Sequence, residues 1–162
     1  MGNRDGDNMT HHGGNTRLLS ALNSCGVRFV VIGGLAVAWH CNGRDADDMD
    51  LLIDAAGDNP RRVATSLREL GIPAIDESLF AKRGLQVPLK HDLYADLLTP
   101  LVDGQSYEEI EASAVHGMIN RIPVRFASVP ALILMKRRAI SAGGLVASKH
   151  LRDLELLGNH PA

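Results

Sequence analysis

The sequence predicts an α/β or α+β fold in which helices flank a mixed β-sheet. Short apolar, β-branched segments alternate with helix-like segments through the first part of the chain. Later, two strand-like segments flank Asn120-Arg121 at the spacing of a two-residue hairpin, which favours an antiparallel pair within the same sheet. The composition, 45% hydrophobic and 22% charged, is that of a globular protein.

Size and charge exclude several classes of protein. A length of 162 residues suits one domain, and a net charge of −2 excludes a generally basic nucleic-acid coat. No apolar segment approaches the roughly 18 residues of a membrane span, and the polar N-terminus is unlike a signal peptide. We therefore expect a cytoplasmic protein with no membrane partner. Cys25 and Cys41 are too few for a disulfide scaffold, so we expect reduced thiols.

Local sequence signals predict the helices and strands of the first half of the chain. Residues 1–15 are polar and predict a disordered tail, and residues 16–157 a single domain. The leucines after Asn15 have helical spacing as far as Gly26. Apolar character then predicts a strand over 27–32, a short helix over 35–41 and a strand over 49–53. The next helix is expected to be capped by Asn59, to carry Pro60 in its first turn and to end at Gly71.

The same local signals predict the helices and strands of the second half of the chain. Residues 72–92 predict strand and loop, and 93–98 an apolar strand. Ser106 and Glu109 have capping-box spacing, and Ser128 is expected to cap a helix to Ala139. The remaining predictions are hairpin strands over 115–119 and 122–126 and a last helix over 148–157.

Two carboxylates in the second predicted strand indicate chemistry. Asp48 and Asp50 are two residues apart, so both project from one face of an extended backbone. Their repulsion costs stability unless cations neutralise it, and Mg²⁺ typically takes one or two carboxylates together with substrate phosphates. An ordinary solvated strand edge is the competing interpretation.

A glycine pair precedes these carboxylates. Gly33-Gly34 lies between a predicted buried strand and a helix, where bare backbone N–H groups and the helix dipole can bind phosphate. Thirteen residues, 35–47, separate this pair from Asp48. A tight turn is the simple alternative, but together the two features favour a metal-bound nucleoside triphosphate.

This pattern resembles the nucleotidyltransferase superfamily typified by DNA polymerase beta. The string GGLAVAWHCNGRDADDMDLLID is similar to its minimal branch, the abortive-infection type nucleotidyltransferase-like proteins, some of which are toxins of toxin–antitoxin pairs. Arg44 and the Asp-Met-Asp-Leu-Leu-Ile segment match that branch, with Met49 for Ile and Ala46 for Thr. Many superfamily members have Gly-Ser where this chain has Gly33-Gly34, so one hydroxyl ligand to phosphate is absent here.

Further matches follow downstream. Tyr-Ala-Asp-Leu-Leu around Asp96 resembles the segment that carries the family's third carboxylate, with Asp92 as the competitor. The segment ending at Lys136 resembles the family's hairpin and Met-Lys helix, and the one beginning at Lys149 resembles its Lys-Asp-Leu-x-Asp-Leu helix. The resemblance covers roughly residues 16–157.

The resemblance implies a reaction and a set of residues. A nucleotide monophosphate would pass from a nucleoside triphosphate to an unknown acceptor, protein or RNA among them, by a two-metal mechanism with two Mg²⁺ or Mn²⁺ ions. The implied metal ligands and catalytic residues are Asp48, Asp50 and Asp96. The implied phosphate-binding residues are Gly33, Gly34, Arg44, Lys136 and Lys149.

Alternatives stay open at this point. Lys136 could lie on a solvated helix face, and Lys149 could pair with Asp153 at i+4. Trp39 is expected in the core. The protein could also be a catalytically silent binding module of the same fold, for example a toxin–antitoxin component with a cognate antitoxin, or a metal-dependent phosphohydrolase.

Overall fold

A computed structural model describes residues 12–46, 48–72, 75–89, 93–143 and 147–160. Within them, helices flank one six-stranded sheet, which confirms the predicted mixed architecture. The helices are α1 His12–Ser24, α2 Gly33–His40, α3 Asn59–Glu69, α4 Tyr107–Ser113, α5 Val129–Ser141 and α6 Ala147–Gly158, with a short 3₁₀ helix at Glu77–Ala81. The strands are β1 Phe29–Ile32, β2 Met49–Ile53, β3 Gln86–Leu89, β4 Ala95–Leu98, β5 Val115–Ile119 and β6 Ile122–Phe126.

The sheet is mixed, with the strand order β3-β4-β2-β1-β6-β5. Strand β2 pairs antiparallel with β1 and parallel with β4, and β1 pairs parallel with β6. The two edge strands, β3 and β5, pair antiparallel with their inner neighbours. This order places β2 and β4 side by side, although 41 residues (54–94) lie between them in sequence.

Strand β2 divides the apolar core from the candidate site. Met49, Leu51 and Ile53 are fully buried, and because side chains alternate along a strand, Asp50 and Leu52 project from the opposite face. On that opposite face Leu52 and residues of α5 line one cleft. The alternation predicted from sequence therefore determines which side of the sheet carries the carboxylates.

Local signals located most element boundaries. Ser106 and Glu109 form the predicted capping box, and the Ser128 side chain accepts from the backbone N–H of Ala131. The hairpin turn has Asn120 and Arg121 at φ values of 48° and 66°, the left-handed conformation that a type I′ turn requires. The predicted interior position of Trp39 is supported by its stacking on Phe126, with ring centroids 4.5 Å apart.

Two boundary predictions were wrong. Asn59 does not cap α3: it is the first helical residue, and its side chain instead bonds the backbone N–H and C=O of Arg28 and the C=O of Asp54. Helix α1 begins at His12, inside the predicted tail, and Asn15 is fully buried, with its amide donating to the carbonyls of Leu93 and Tyr94. Residues 1–11 lie outside the described residues.

No helix in the described ranges has both the length and the apolar character that crossing a bilayer requires.

Candidate active site

Asp50 and Asp96 are direct neighbours in the sheet. They are register partners in the parallel pairing of β2 and β4, and adjacent strands lie about 4.8 Å apart. Paired residues of neighbouring strands project from the same face, so the two carboxyl groups share one side of the sheet. Asp96 is 4% exposed, and the Gln86 side-chain amide donates to its Oδ2 over 2.9 Å. The sheet thus brings together two carboxylates that are 46 residues apart in sequence.

The Asp50 carboxylate also lies against the glycine turn. Gly33 follows the last residue of β1, and Ile32 of β1 is the register partner of Asp50. A Cβ added to Gly33 would lie 2.1 Å from Oδ2 of Asp50, and the backbone there has φ +69°. Only glycine allows both this close approach and this conformation without strain. The turn and the acidic strand therefore form one site.

The charge of Asp50 is disfavoured in this environment. Burial is the main cause, followed by the negative charges of Asp48 and Asp96, and together they raise the pKa of Asp50 to about 6. Lys136 and Lys149 act in the opposite direction. A bound cation would relieve this repulsion and restore the ionised form.

The donor chemistry of the three aspartates fits a divalent cation of the Mg²⁺ type, which prefers carboxylate oxygens. Asp48, half-buried just before β2, is close enough for its charge to act on Asp50. Within the described ranges, however, no three His, Cys, Asp or Glu side chains stand in a ready-made metal-binding arrangement. The competing third carboxylate, Asp92, lies outside the described residues.

The second glycine faces a guanidinium group. A Cβ on Gly34 would lie 2.5 Å from Nη2 of Arg44, so the Arg44 side chain covers the start of α2. Its Nε donates to Asp153 over 2.8 Å and its Nη1 donates to the carbonyl of Asp45. Its Nη2 is buried and makes no hydrogen bond in the described part of the chain. That nitrogen is a donor placed at the N-terminus of a helix, where anions bind.

Asp153 holds two of the predicted phosphate-binding cations. Its carboxylate is fully buried and pairs with Arg44 on one oxygen and with Lys136, 2.9 Å away, on the other. Burial alone would raise the pKa of Asp153, but the hydrogen bonds from Arg44 and Lys136 outweigh it and hold that pKa below its usual value. Lys136 is 6% exposed, so its helix position is not a solvated face.

The last helix contributes two more side chains near this network. Lys149 is exposed, and its charge reaches Asp50. The Lys136 Nζ lies 3.4 Å from Nδ1 of His150. Burial and then the charge of Lys136 lower the pKa of His150, which keeps the imidazole neutral near pH 7 and able to accept from Lys136.

Sequence reasoning missed three residues of this site. Asp153 was expected only as a member of the resembling helix segment and as an i+4 partner of Lys149, whereas its partners come from α5 and from the loop before β2. His150 carried no signal beyond its place beside Lys149. Gln86, on the edge strand β3, had no signal at all, because pairing with β4 alone brings it to Asp96.

The fold is that of nucleotidyltransferase-like proteins. Neither a protein-family model nor a curated protein matches the chain by sequence. The crystal structure of ANT(2″)-Ia in complex with adenylyl-2″-tobramycin is similar with a TM-score of 0.58 and 19% identity, over 88% of this chain and 84% of that chain. The solution structure of the antibiotic-resistance factor ANT(2″)-Ia gives 0.60 and 19%, over 88% and 79%.

A third structure has the same fold. An antigenic nucleotidyltransferase-like protein from Paracoccidioides brasiliensis is similar with a TM-score of 0.52 and 14% identity, over 91% of this chain and 76% of that chain. At such identities the likeness is one of fold. What this chain does must be argued from its own residues.

Proposed function

We propose that the protein is a nucleotidyltransferase, which transfers a nucleotide monophosphate from a nucleoside triphosphate to an acceptor hydroxyl. The observation that carries the proposal is the register pairing of Asp50 with Asp96 beside a glycine turn that the Asp50 carboxylate touches. The proposed phosphate and metal sites would thereby meet at one place. The fold supports the proposal, as does a fold neighbour solved with an adenylylated molecule, adenylyl-2″-tobramycin.

Each group has a role in the proposed reaction. The backbone of Gly33-Gly34, the Arg44 guanidinium and the ammonium of Lys136 hold the phosphates, and Lys149 supplies further positive charge at the rim. Asp48, Asp50 and Asp96 would hold Mg²⁺ or Mn²⁺, which supplies charge neutralisation and activates the acceptor oxygen when bound.

The proposed reaction forms one bond to the α-phosphorus and breaks another. The acceptor oxygen forms a bond to the α-phosphorus, and the bond from that phosphorus to the α–β bridging oxygen breaks. Pyrophosphate leaves with the electron pair. Asp96, on the strand farther from the glycine turn, would take up the hydroxyl proton.

Nucleotide binding and label transfer test the proposal. We expect calorimetry to detect binding of Mg·ATP that chelator abolishes, and α-labelled ATP to yield pyrophosphate and a labelled acceptor, with protein and RNA tried first. Asp50→Asn and Asp96→Asn should lower the transfer rate at least about 100-fold, because several kcal/mol of charge stabilisation depend on these carboxylates. Glu155→Gln, at an exposed site on α6, is the matched control.

The other outcomes identify the competing functions. Metal-dependent nucleotide binding without transfer to any acceptor would identify a silent binding module. Orthophosphate in place of pyrophosphate would identify a phosphohydrolase. Failure to bind Mg·ATP would contradict the proposal altogether.

The resemblance of residues 33–54 to abortive-infection type proteins extends the proposal to a role as the toxin of a toxin–antitoxin pair acting in the cytoplasm. Expression of the wild-type chain should then arrest growth, and Asp50→Asn should not. A cognate antitoxin, encoded beside this chain, should reverse the arrest.

A further inference from the structure

A cleft of 580 Å³ opens beside the proposed active site. Gly33, Asp50, Lys136 and His150 line one end of it. It continues past Gln86, whose side-chain amide donates to Asp96, into the space between helix α5 and the face of the sheet formed by β2 and β4. Its volume is that of a small-molecule site, and Gln86 and Leu98, which line it, lie on strands β3 and β4, on the side of β2 away from the glycine turn.

The far end of the cleft is apolar. Leucine side chains form most of this wall, namely Leu52, Leu85, Leu98, Leu101, Leu132 and Leu134. Two of them, Leu101 and Leu134, are 48% and 51% exposed. An apolar surface left open at the mouth of an active-site cleft favours a ligand that covers it.

Two basic side chains that line the cleft, Arg138 and Lys136, already form ion pairs with carboxylates. Arg138 forms an ion pair with Asp103 and also donates to its carbonyl over 3.0 Å, which ties α5 to the loop that follows β4. Lys136 is paired with Asp153. Asp50 is the one other carboxylate among the lining residues that the structure describes. A molecule with several positive charges would therefore find no set of carboxylates to bind it.

We propose that this cleft holds the acceptor, and that the acceptor is an uncharged molecule with an apolar body and one reactive hydroxyl. The proposal rests on the proposed function, since it names the acceptor of that same reaction. The apolar body lies against Leu98, Leu101 and Leu134, and the hydroxyl points to Asp50, which lines the other end of the cleft and is the register partner of Asp96. That oxygen forms the new bond to the α-phosphorus, its proton passes to Asp96, and pyrophosphate leaves as described above.

Binding of 2-naphthol, an uncharged bicyclic molecule with one hydroxyl, tests this inference without nucleotide. We expect its fluorescence to report saturable binding to the wild-type protein. Leu134→Asp and Leu101→Gln should each weaken binding about tenfold, because each removes part of the apolar wall. Leu151→Asp is the matched control: Leu151 is 55% exposed on α6 and does not line the cleft. Circular dichroism verifies that every variant is folded.

Two further measurements separate the acceptor from other ligands. 2-Naphthol and Mg·ATP should bind together, and neamine, a polycationic amino sugar, should bind at least tenfold more weakly than 2-naphthol. Competition between 2-naphthol and Mg·ATP would overturn the inference, because the cleft would then hold the base. Tighter binding of neamine, equal weakening in Leu151→Asp, or no binding of 2-naphthol would overturn it too. Binding of Mg·ATP and release of pyrophosphate by the wild-type protein, measured without 2-naphthol, decide the proposed function separately.

Discussion

The carboxylate of Asp50 occupies the space where a side chain of Gly33 would begin, with Oδ2 2.1 Å from the position of that Cβ. The contact joins Gly33, the first residue of α2, to β2, the strand that carries Asp50. Because Asp50 is also the register partner of Asp96, any shift of Asp50 moves one member of the carboxylate pair. The glycine is thus a requirement of the site's geometry as well as of its backbone.

Gly33→Ala should weaken nucleotide binding. The new methyl group collides with Asp50 at a backbone φ of +69°, so both the turn and the carboxylate must move. We expect the Mg·ATP affinity, measured by calorimetry, to fall at least about tenfold, a cost of about 1.4 kcal/mol. Gly57→Ala is the control, since Gly57 has φ +59° with open space around its Cβ. It should show the backbone cost of about 1–2 kcal/mol in stability but bind nucleotide normally.

Asp50 should make the stability of the metal-free protein depend on pH. Its pKa is about 6 in the folded state against 3.8 as the reference. Between these values the Asp50 carboxyl binds more protons in the folded state than in the unfolded state, so its contribution to stability is fully present below about pH 4 and is lost as pH rises through 6. The loss should be at most about 3 kcal/mol.

Urea unfolding in chelator at pH 4.5 and pH 7 measures this effect. Asp50→Asn removes the titrating group, so its stability should fall less between the two pH values and should equal or exceed that of the parent at pH 7. Glu155→Gln, exposed on α6, should behave as the parent does. A large loss of stability in Asp50→Asn at pH 7 would mean that the residue is structural, contrary to the proposed site.

Asp153→Asn should destabilise the fold. The substitution leaves Lys136, 6% exposed, and the largely buried Arg44 without their shared carboxylate. Breaking a buried ion pair by removing one partner costs about 3–5 kcal/mol, and the retained amide should place the loss near the lower limit. Denaturant unfolding at pH 7 gives the value. An effect no larger than that of Glu155→Gln would contradict the buried network.

Arg44→Lys should weaken nucleotide binding while the fold survives. The guanidinium reaches Asp153, the Asp45 carbonyl and the Gly34 turn from three separate nitrogens, and one ammonium group cannot reproduce that geometry. We expect a loss of about tenfold in Mg·ATP affinity by calorimetry. Arg152→Lys, at an exposed position of α6, should keep the parent's affinity. Equal affinities for both variants would remove Arg44 from the phosphate site.

Local sequence signals predicted the parts of this fold that depend on neighbouring residues. The strand over 49–53, the hairpin around Asn120 and the cap at Ser106 were located because alternation, turn spacing and capping chemistry act within a few residues. Asn59 was misassigned because its side chain satisfies the backbone of a different strand end, which no local rule anticipates.

Those parts of the candidate site that lie close together in sequence were also predictable. The acidic strand and the glycine turn lie close in sequence, and the resemblance indicated Asp96. The pairing of Arg44 with Asp153 spans 109 residues. Helix periodicity suggested Lys149 as the partner of Asp153, but tertiary packing brings Arg44 and Lys136 to it instead. Gln86 and the apolar cleft arise from strand order and from the packing of α5, and no residue pattern encodes either one.

The contact between the final helix and Arg44 has a consequence for biosynthesis. When the ribosome has made the six strands of the described sheet, it has produced both Asp50 and Asp96. It has not yet produced Asp153, the buried carboxylate that pairs with Arg44 and Lys136. Until α6 docks, Arg44 and Lys136 lack their shared carboxylate. Under the proposed function, we expect the growing polypeptide to gain its ordered phosphate site only after α6 has folded onto α5.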